Sequence, residues 1–136
     1  MKFWDTSALV PLLTEEDTTG AMTQLFRDDR NIVVSFITPV ELTSAVWRKA
    51  GVNADLRHLA ERRYAVIEAN WTMIDEYEQA IGLARRFASI HRLRAGDAIQ
   101  LACAVLAVPN REELPFVASD HDLVAAARAE GLTVFP

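Results

Sequence analysis

Along this chain, short unbroken apolar runs alternate with longer stretches in which apolar residues recur every three or four positions. The first kind predicts strands and the second predicts amphipathic helices. Residues 2–4, 32–34, 71–74, 116–118 and 132–135 read as strands. Residues 7–13 form a short helical run, and Glu15, Glu16 and Asp17 suit the start of a second helix that ends between Arg27 and Arg30. Thr38-Pro39 opens a third, because proline at the first helical position has no needed N–H to lose, and Gly51 stops it after Lys49. Further helices follow over 55–69 and 75–91, the latter turning Ile81, Ala84, Phe87 and Ala88 inward. Residues 98–107 are apolar on nearly every side, which predicts a buried central helix. A polar loop over 108–115, set between Pro109 and Pro115, leads to strand 116–118 and a last helix over 121–130.

Strands that alternate with helices predict an α/β fold, with a central, mostly parallel sheet of about four to five short strands flanked by helices. Residues 1–136 suit a single domain, with no internal repeat, low-complexity segment or linker. No apolar stretch reaches the ~20 residues that span a bilayer. The N-terminus lacks the basic region and apolar segment of a signal peptide. The single cysteine, Cys103, cannot pair internally and reads as a small buried hydrophobe. These features suit a cytoplasmic protein.

Charge changes the picture. The net charge of −5 argues against a simple nucleic-acid clamp. Yet between Arg48 and Arg94 nine basic residues face six acids, a local excess of +3 that leaves −8 for the remainder. A basic middle beside acidic ends suits either a phosphate-binding face with a separate anionic site or plain solvated helix surfaces.

Four acids stand out by position. Asp5 ends the first strand and precedes a helix, where aspartate commonly caps an orphan N–H. Thr38 and Glu41 have the spacing of a capping box. Asp97 follows Gly96 at the start of the apolar helix, with Gln100 in the capping-box position. Asp120 lies in a run, Ser119-Asp120-His121-Asp122, that offers caps to the last helix. Each acid alone therefore has a structural explanation. Their joint placement points further. Asp5 and Asp120 sit just past the C-terminal ends of strands, the edge where ligands bind in open parallel sheets. Glu41 lies on the first turn after another strand, and Asp97 stands at the mouth of the core. Four carboxylates at one edge repel, and a hard divalent cation with oxygen ligands removes that repulsion. Neither a glycine-rich phosphate loop nor a His/Cys metal spacing is present. His58, His91 and His121 are scattered and read as surface or cap residues. Trp4, Trp47 and Trp71 read as packing groups.

The stretches FWDTSALVPLL, TPVELTSAVWR, RAGDAIQLACA and FVASDHDLVAAARAEGLTV occur in that order and span nearly the whole chain. In this combination the sequence resembles the PIN-domain family, specifically the VapC-type ribonuclease toxins of toxin–antitoxin pairs. The resemblance implies a PIN-like fold and Mg²⁺- or Mn²⁺-dependent endonucleolytic hydrolysis of RNA. It implies a metal site at Asp5, Glu41, Asp97 and Asp120, with Ser7 binding a metal water or holding Asp5, and Asp122 as a weaker fifth acid. One departure is Ala118, where many relatives carry threonine, a hydroxyl that Ser119 replaces in part. The resemblance also implies a homodimer and a small antitoxin partner whose tail enters the groove. Leu12, Leu13, Val46 and Trp47 are placed to border such a groove. A dimer surface is expected on helices 38–49 and 55–69, where arginines alternate with apolar residues.

Two other classes compete with this reading. One is a catalytically silent module that binds RNA or protein through the same fold. The other is a phosphatase with an aspartyl nucleophile, but that chemistry usually needs a second acid where this chain has Ser7. A nuclease acting on DNA is a close variant, since such a site reads phosphate before sugar.

Overall fold

The computed structural model of the chain describes residues 1–107 and 113–136. The elements run β1 (Lys2–Trp4), α1 (Thr6–Leu13), α2 (Thr19–Asp28), β2 (Ile32–Ser35), α3 (Thr38–Ala50), α4 (Ala54–Glu68), β3 (Trp71–Ile74), α5 (Tyr77–His91), α6 (Ala95–Leu106), β4 (Phe116–Val117), α7 (His121–Ala129) and β5 (Val134–Phe135). All five strands are parallel, in the order β3-β2-β1-β4-β5. This is the parallel α/β arrangement expected from the sequence.

Alternation along the central strands divides the core into two layers, because successive strand side chains point to opposite faces. Phe3, Val33 and Phe116 face one way, into the layer formed by α5, α6 and α7. Trp4, Ile32, Val34 and Val117 face the other way, against α1, α3 and α4. Phe3 and Phe116 stack across adjacent strands with centroids 5.6 Å apart. Burying a side chain of this size contributes about 1.5–3 kcal/mol, so the short central strands are anchored by their aromatics. The indole Nε1 of Trp4 is buried without a hydrogen-bond partner.

Chain direction explains which helices cover which face. From β1 to β2 to β3 the chain steps outward in one direction, with its helices on one side of the sheet. It then returns through α5 and α6 to β4, on the far side of β1, with its helices on the other side. Right-handed crossovers require that change of side when the direction reverses. The reversal opens a crevice at the C-terminal ends of β1 and β4.

Several element boundaries differ from the sequence expectation. Helix α2 begins at Thr19, because Glu16 is drawn instead to Lys49 Nζ (2.7 Å) and its amide donates to Thr19 Oγ1 (2.9 Å). Helix α6 begins at Ala95 and so includes Asp97 in its first turn. On α5, Ala80, Ala84 and Phe87 are buried and Ala88 packs against the core, but Ile81 is 45% exposed. The inward stripe follows Ala80, Ala84 and Phe87, and Ile81 falls outside it. The loop expected over 108–115 lies largely outside the described residues; Glu113 to Pro115 carry no helix or strand.

Candidate metal centre at the sheet edge

Asp5 is placed by the sheet itself. Its amide donates to Val117 O (2.9 Å), which ties it to β4, and its carbonyl accepts from Ala8 and Leu9 as α1 begins. The side chain is only 3% exposed, and Oδ2 accepts from the Ser7 amide at 2.9 Å. The capping role is therefore real, and it turns the carboxylate toward the crevice. Burial raises this carboxyl from its ordinary 3.8 to about 6. Hydrogen bonds from Ser7 oppose the rise, and the charges of Glu41 and Asp97 add to it. Ser7 Oγ accepts from the Ser119 amide (3.0 Å), joining the loop after β1 to the loop after β4.

Glu41 lies in the first turn of α3, but the capping box with Thr38 does not form. The N-cap position is Ile37, with no side-chain cap. Thr38 is buried and accepts from Gln100 Nε2 at 3.2 Å. Glu41 Oε2 instead accepts from Thr6 Oγ1 and from Gln100 Nε2, the latter at 2.8 Å. Gln100 also reaches Thr6 Oγ1 (2.9 Å), so it cross-links α1, α3 and α6. Its other end, Oε1, is buried without a partner. Gln100 is thus a buried positioning residue for Glu41 and not the second half of a capping box. Glu41 Oε1 lies against Gly96, where an added Cβ would stand only 2.5 Å away. Gly96→Ala should therefore push the Glu41 carboxylate from its place. Alanine is the better helix former by up to about 1 kcal/mol, so the expected result is lower activity with an unchanged or raised melting temperature.

Asp97 occupies the first turn of α6, whose N-cap is Arg94 and not Asp97. Arg94 Nε donates to Asp97 Oδ2 at 3.1 Å, and its Nη2 approaches Asp120 Oδ2 at 3.5 Å. The hydrogen bond and charge of Asp97, then the charges of Asp120 and Asp122, hold the Arg94 guanidinium more firmly protonated than usual. Asp120 caps α7 as expected, with Oδ1 accepting from the Leu123 amide at 3.0 Å.

Asp5, Glu41, Asp97 and Asp120 line one open pocket of roughly 470 Å³, together with Ser7, Arg48 and Arg94. Each acid stands at the N-terminal end of a different helix, where the helix dipole favours negative charge. Asp122 does not line this pocket; it faces a separate depression beside His91 and Arg92. His91 pairs with Glu130 at 2.8 Å, and His58 approaches Glu61 at 3.7 Å, so neither histidine joins the acids. Trp4 is wholly buried, and Trp71 meets Tyr64 edge to face at 5.6 Å.

The donor set suits a hard divalent cation. It is made of carboxylates, one of them desolvated, around a pocket wide enough to keep water ligands. In the present arrangement no three acidic, histidine or cysteine side chains among the described residues are close enough to enclose one ion. Thr6 and Gln100 hold Glu41, and Arg94 engages Asp97 and Asp120. Sequence reasoning missed Thr6 and Arg94 as pocket residues, and Gln100 and Gly96 as the groups packed behind Glu41. Gln100 did carry a signal, as the one amide on an almost wholly apolar helix, where a buried polar group needs partners.

Comparison with known proteins agrees with this architecture. The PIN domain family model matches residues 2–129, and the chain belongs to that family. The structure of PAE2754 from Pyrobaculum aerophilum superposes with a TM-score of 0.72 at 18% identity, covering 98% of this chain and 87% of that one. FitAcB from Neisseria gonorrhoeae gives 0.68 at 18% identity, covering 100% and 97%. The structure of FitAB bound to an IR36 DNA fragment gives 0.69 at 17% identity, covering 99% and 94%. At such identities these likenesses establish the fold. No curated protein matches the chain significantly. No helix among the described residues is long and apolar enough to cross a membrane.

Proposed function

We propose that this chain is a divalent-metal-dependent endoribonuclease of the toxin type, using Mg²⁺ or Mn²⁺ and restrained by a small antitoxin. One observation carries the reading: four acids from four separate helix starts line a single pocket at the point where the sheet reverses direction. Caps alone need no such convergence. PIN domains are generally nucleases, which agrees with the chemistry of the pocket.

Asp5, Glu41, Asp97 and Asp120 would together hold the cation. A bound divalent ion supplies a more acidic water and offsets negative charge on the phosphate. The chain's own residues do the rest. Ser7 fixes the Asp5 carboxylate, Thr6 and Gln100 fix Glu41, and Arg48 and Arg94 on the pocket wall offer cationic contacts to a polyanion. The test is cleavage of single-stranded RNA by the purified chain with Mg²⁺ or Mn²⁺ against a chelator control. Metal-dependent scission supports the nuclease; binding of RNA without scission would favour the silent module.

The partner reading has its own support. A largely apolar cleft of roughly 170 Å³ runs along the other side of α3, bordered by Leu13, Val46, Trp47 and Tyr64. Trp47 is 41% exposed, and the Arg57 guanidinium lies 4.7 Å from its ring centre. An amphipathic antitoxin segment laid there would be close enough to the acid pocket, across one helix, to send a basic tail into it. Such a partner should lose affinity for Trp47→Ala, as measured by titration. Val40, Leu56 and Val66 are exposed apolar residues on α3 and α4 that suit the expected homodimer, which sedimentation at micromolar concentration tests.

A further inference from the structure

Two arginines line the acid pocket, and their surroundings differ. Arg48 Nε donates only to Ser44 O in its own helix, at 3.3 Å, and the guanidinium has no carboxylate partner among the described residues. Arg94, at the N-cap of α6, spans Asp97 and Asp120 instead. The guanidinium takes one oxygen from each of two carboxylates that line the pocket. A cation entering the pocket must compete for those oxygens. The side chain of Arg94 is 80% exposed, and ion pairs so open to water contribute little, so the contact is readily broken. A released Arg94 stays tethered at the head of α6, on the pocket wall. Its planar fork of donors then suits a phosphate in the pocket that Arg48 also lines.

We infer that Arg94 is an exchanging counter-charge: it bridges Asp97 and Asp120 as the hydrogen bonds place it, and transfers to the substrate phosphate when a divalent cation takes those acids. This inference rests on the nuclease reading and assigns Arg94 two successive partners.

The test is Mn²⁺ titration of the full-length chain by calorimetry, comparing wild type, Arg94→Gln and Arg48→Gln. Arg94→Gln should bind Mn²⁺ about 3–10-fold more tightly, the loss of one weak competing ion pair. Arg48→Gln, which releases no carboxylate, should bind within about 2-fold of wild type. A second titration uses a phosphorothioate-linked oligoribonucleotide, which resists cleavage. With Mn²⁺ present, Arg94→Gln should weaken its binding about 10-fold; without Mn²⁺ the variant should match wild type. Unchanged or weaker Mn²⁺ binding by Arg94→Gln overturns the exchange and leaves the nuclease reading standing. Equal tightening by Arg48→Gln also overturns it, because the effect would then be general electrostatics. A wild-type chain that binds no Mn²⁺ overturns both. Arg94 is exposed, and a melting curve matching wild type verifies that the variant folds.

Discussion

Asp5→Asn, Glu41→Gln and Asp97→Asn should each reduce metal-dependent RNA cleavage at least about 100-fold, since losing even an outer partner of a metal ligand costs about 10–100-fold. The isosteric amides are the informative substitutions. Asparagine caps helices about as well as aspartate, so Asp5→Asn keeps the bond from the Ser7 amide and changes only the charge. Glu41→Gln keeps an oxygen for Thr6 and Gln100. Asp120→Asn likewise keeps its cap on the Leu123 amide. Alanine at Asp5 or Asp120 mixes two effects, because a lost cap alone costs about 0.5–2 kcal/mol of stability. Full activity in the amide variants, with activity lost only in alanine variants that unfold, would return these acids to purely structural roles. The measurement is initial cleavage rate beside a thermal melt for each variant.

The second large effect is on stability, and its sign is opposite to that of an ordinary surface aspartate. Asp5 has its folded pKa raised from 3.8 to about 6, chiefly by burial. Between those values the folded chain holds a proton that the unfolded chain has lost, so stability falls as pH rises through this window. At about 1.4 kcal/mol per pH unit the penalty at neutral pH is about 3 kcal/mol. Asp5→Asn removes the charge and should raise the neutral-pH melting temperature by about 5–10 °C in the absence of metal. At about pH 4 the two proteins should melt together. A variant that is more stable and inactive is the signature of a site built for charge at the expense of the fold. A melting temperature that drops at neutral pH would mean that the Asp5 charge is satisfied within the protein.

Much of this organisation was legible in the sequence because it depends on short-range patterns. Phe3-Trp4 before Asp5, and Phe116-Val117 before Asp120, mark strand ends directly. Parallel α/β order then brings those ends together without any knowledge of side chains. The parts that were not legible depend on contacts between distant segments. Thr38 and Glu41 have capping-box spacing, yet Gln100, 59 residues beyond Glu41, takes the glutamate and Thr38 together. Local spacing cannot register such a competitor. Arg94 counted as one unit of basic surface, but its position at the head of α6 makes it part of the acid pocket. Asp122, two residues past Asp120, is turned by the helix toward another depression. Ile81 was expected inward with Ala84 and Ala88 on their helical spacing, while the stripe that packs is set by Ala80, Ala84 and Phe87.

Anomalous diffraction from crystals of the chain grown with Mn²⁺ tests whether these acids hold a cation. A peak is expected in the pocket about 2.1 Å from an oxygen of Asp5 and within the same reach of at least one of Glu41 and Asp97, with the Arg94 guanidinium moved off Asp97. Mn²⁺ found only on scattered surface carboxylates, with Arg94 still bridging Asp97 and Asp120, would contradict that expectation.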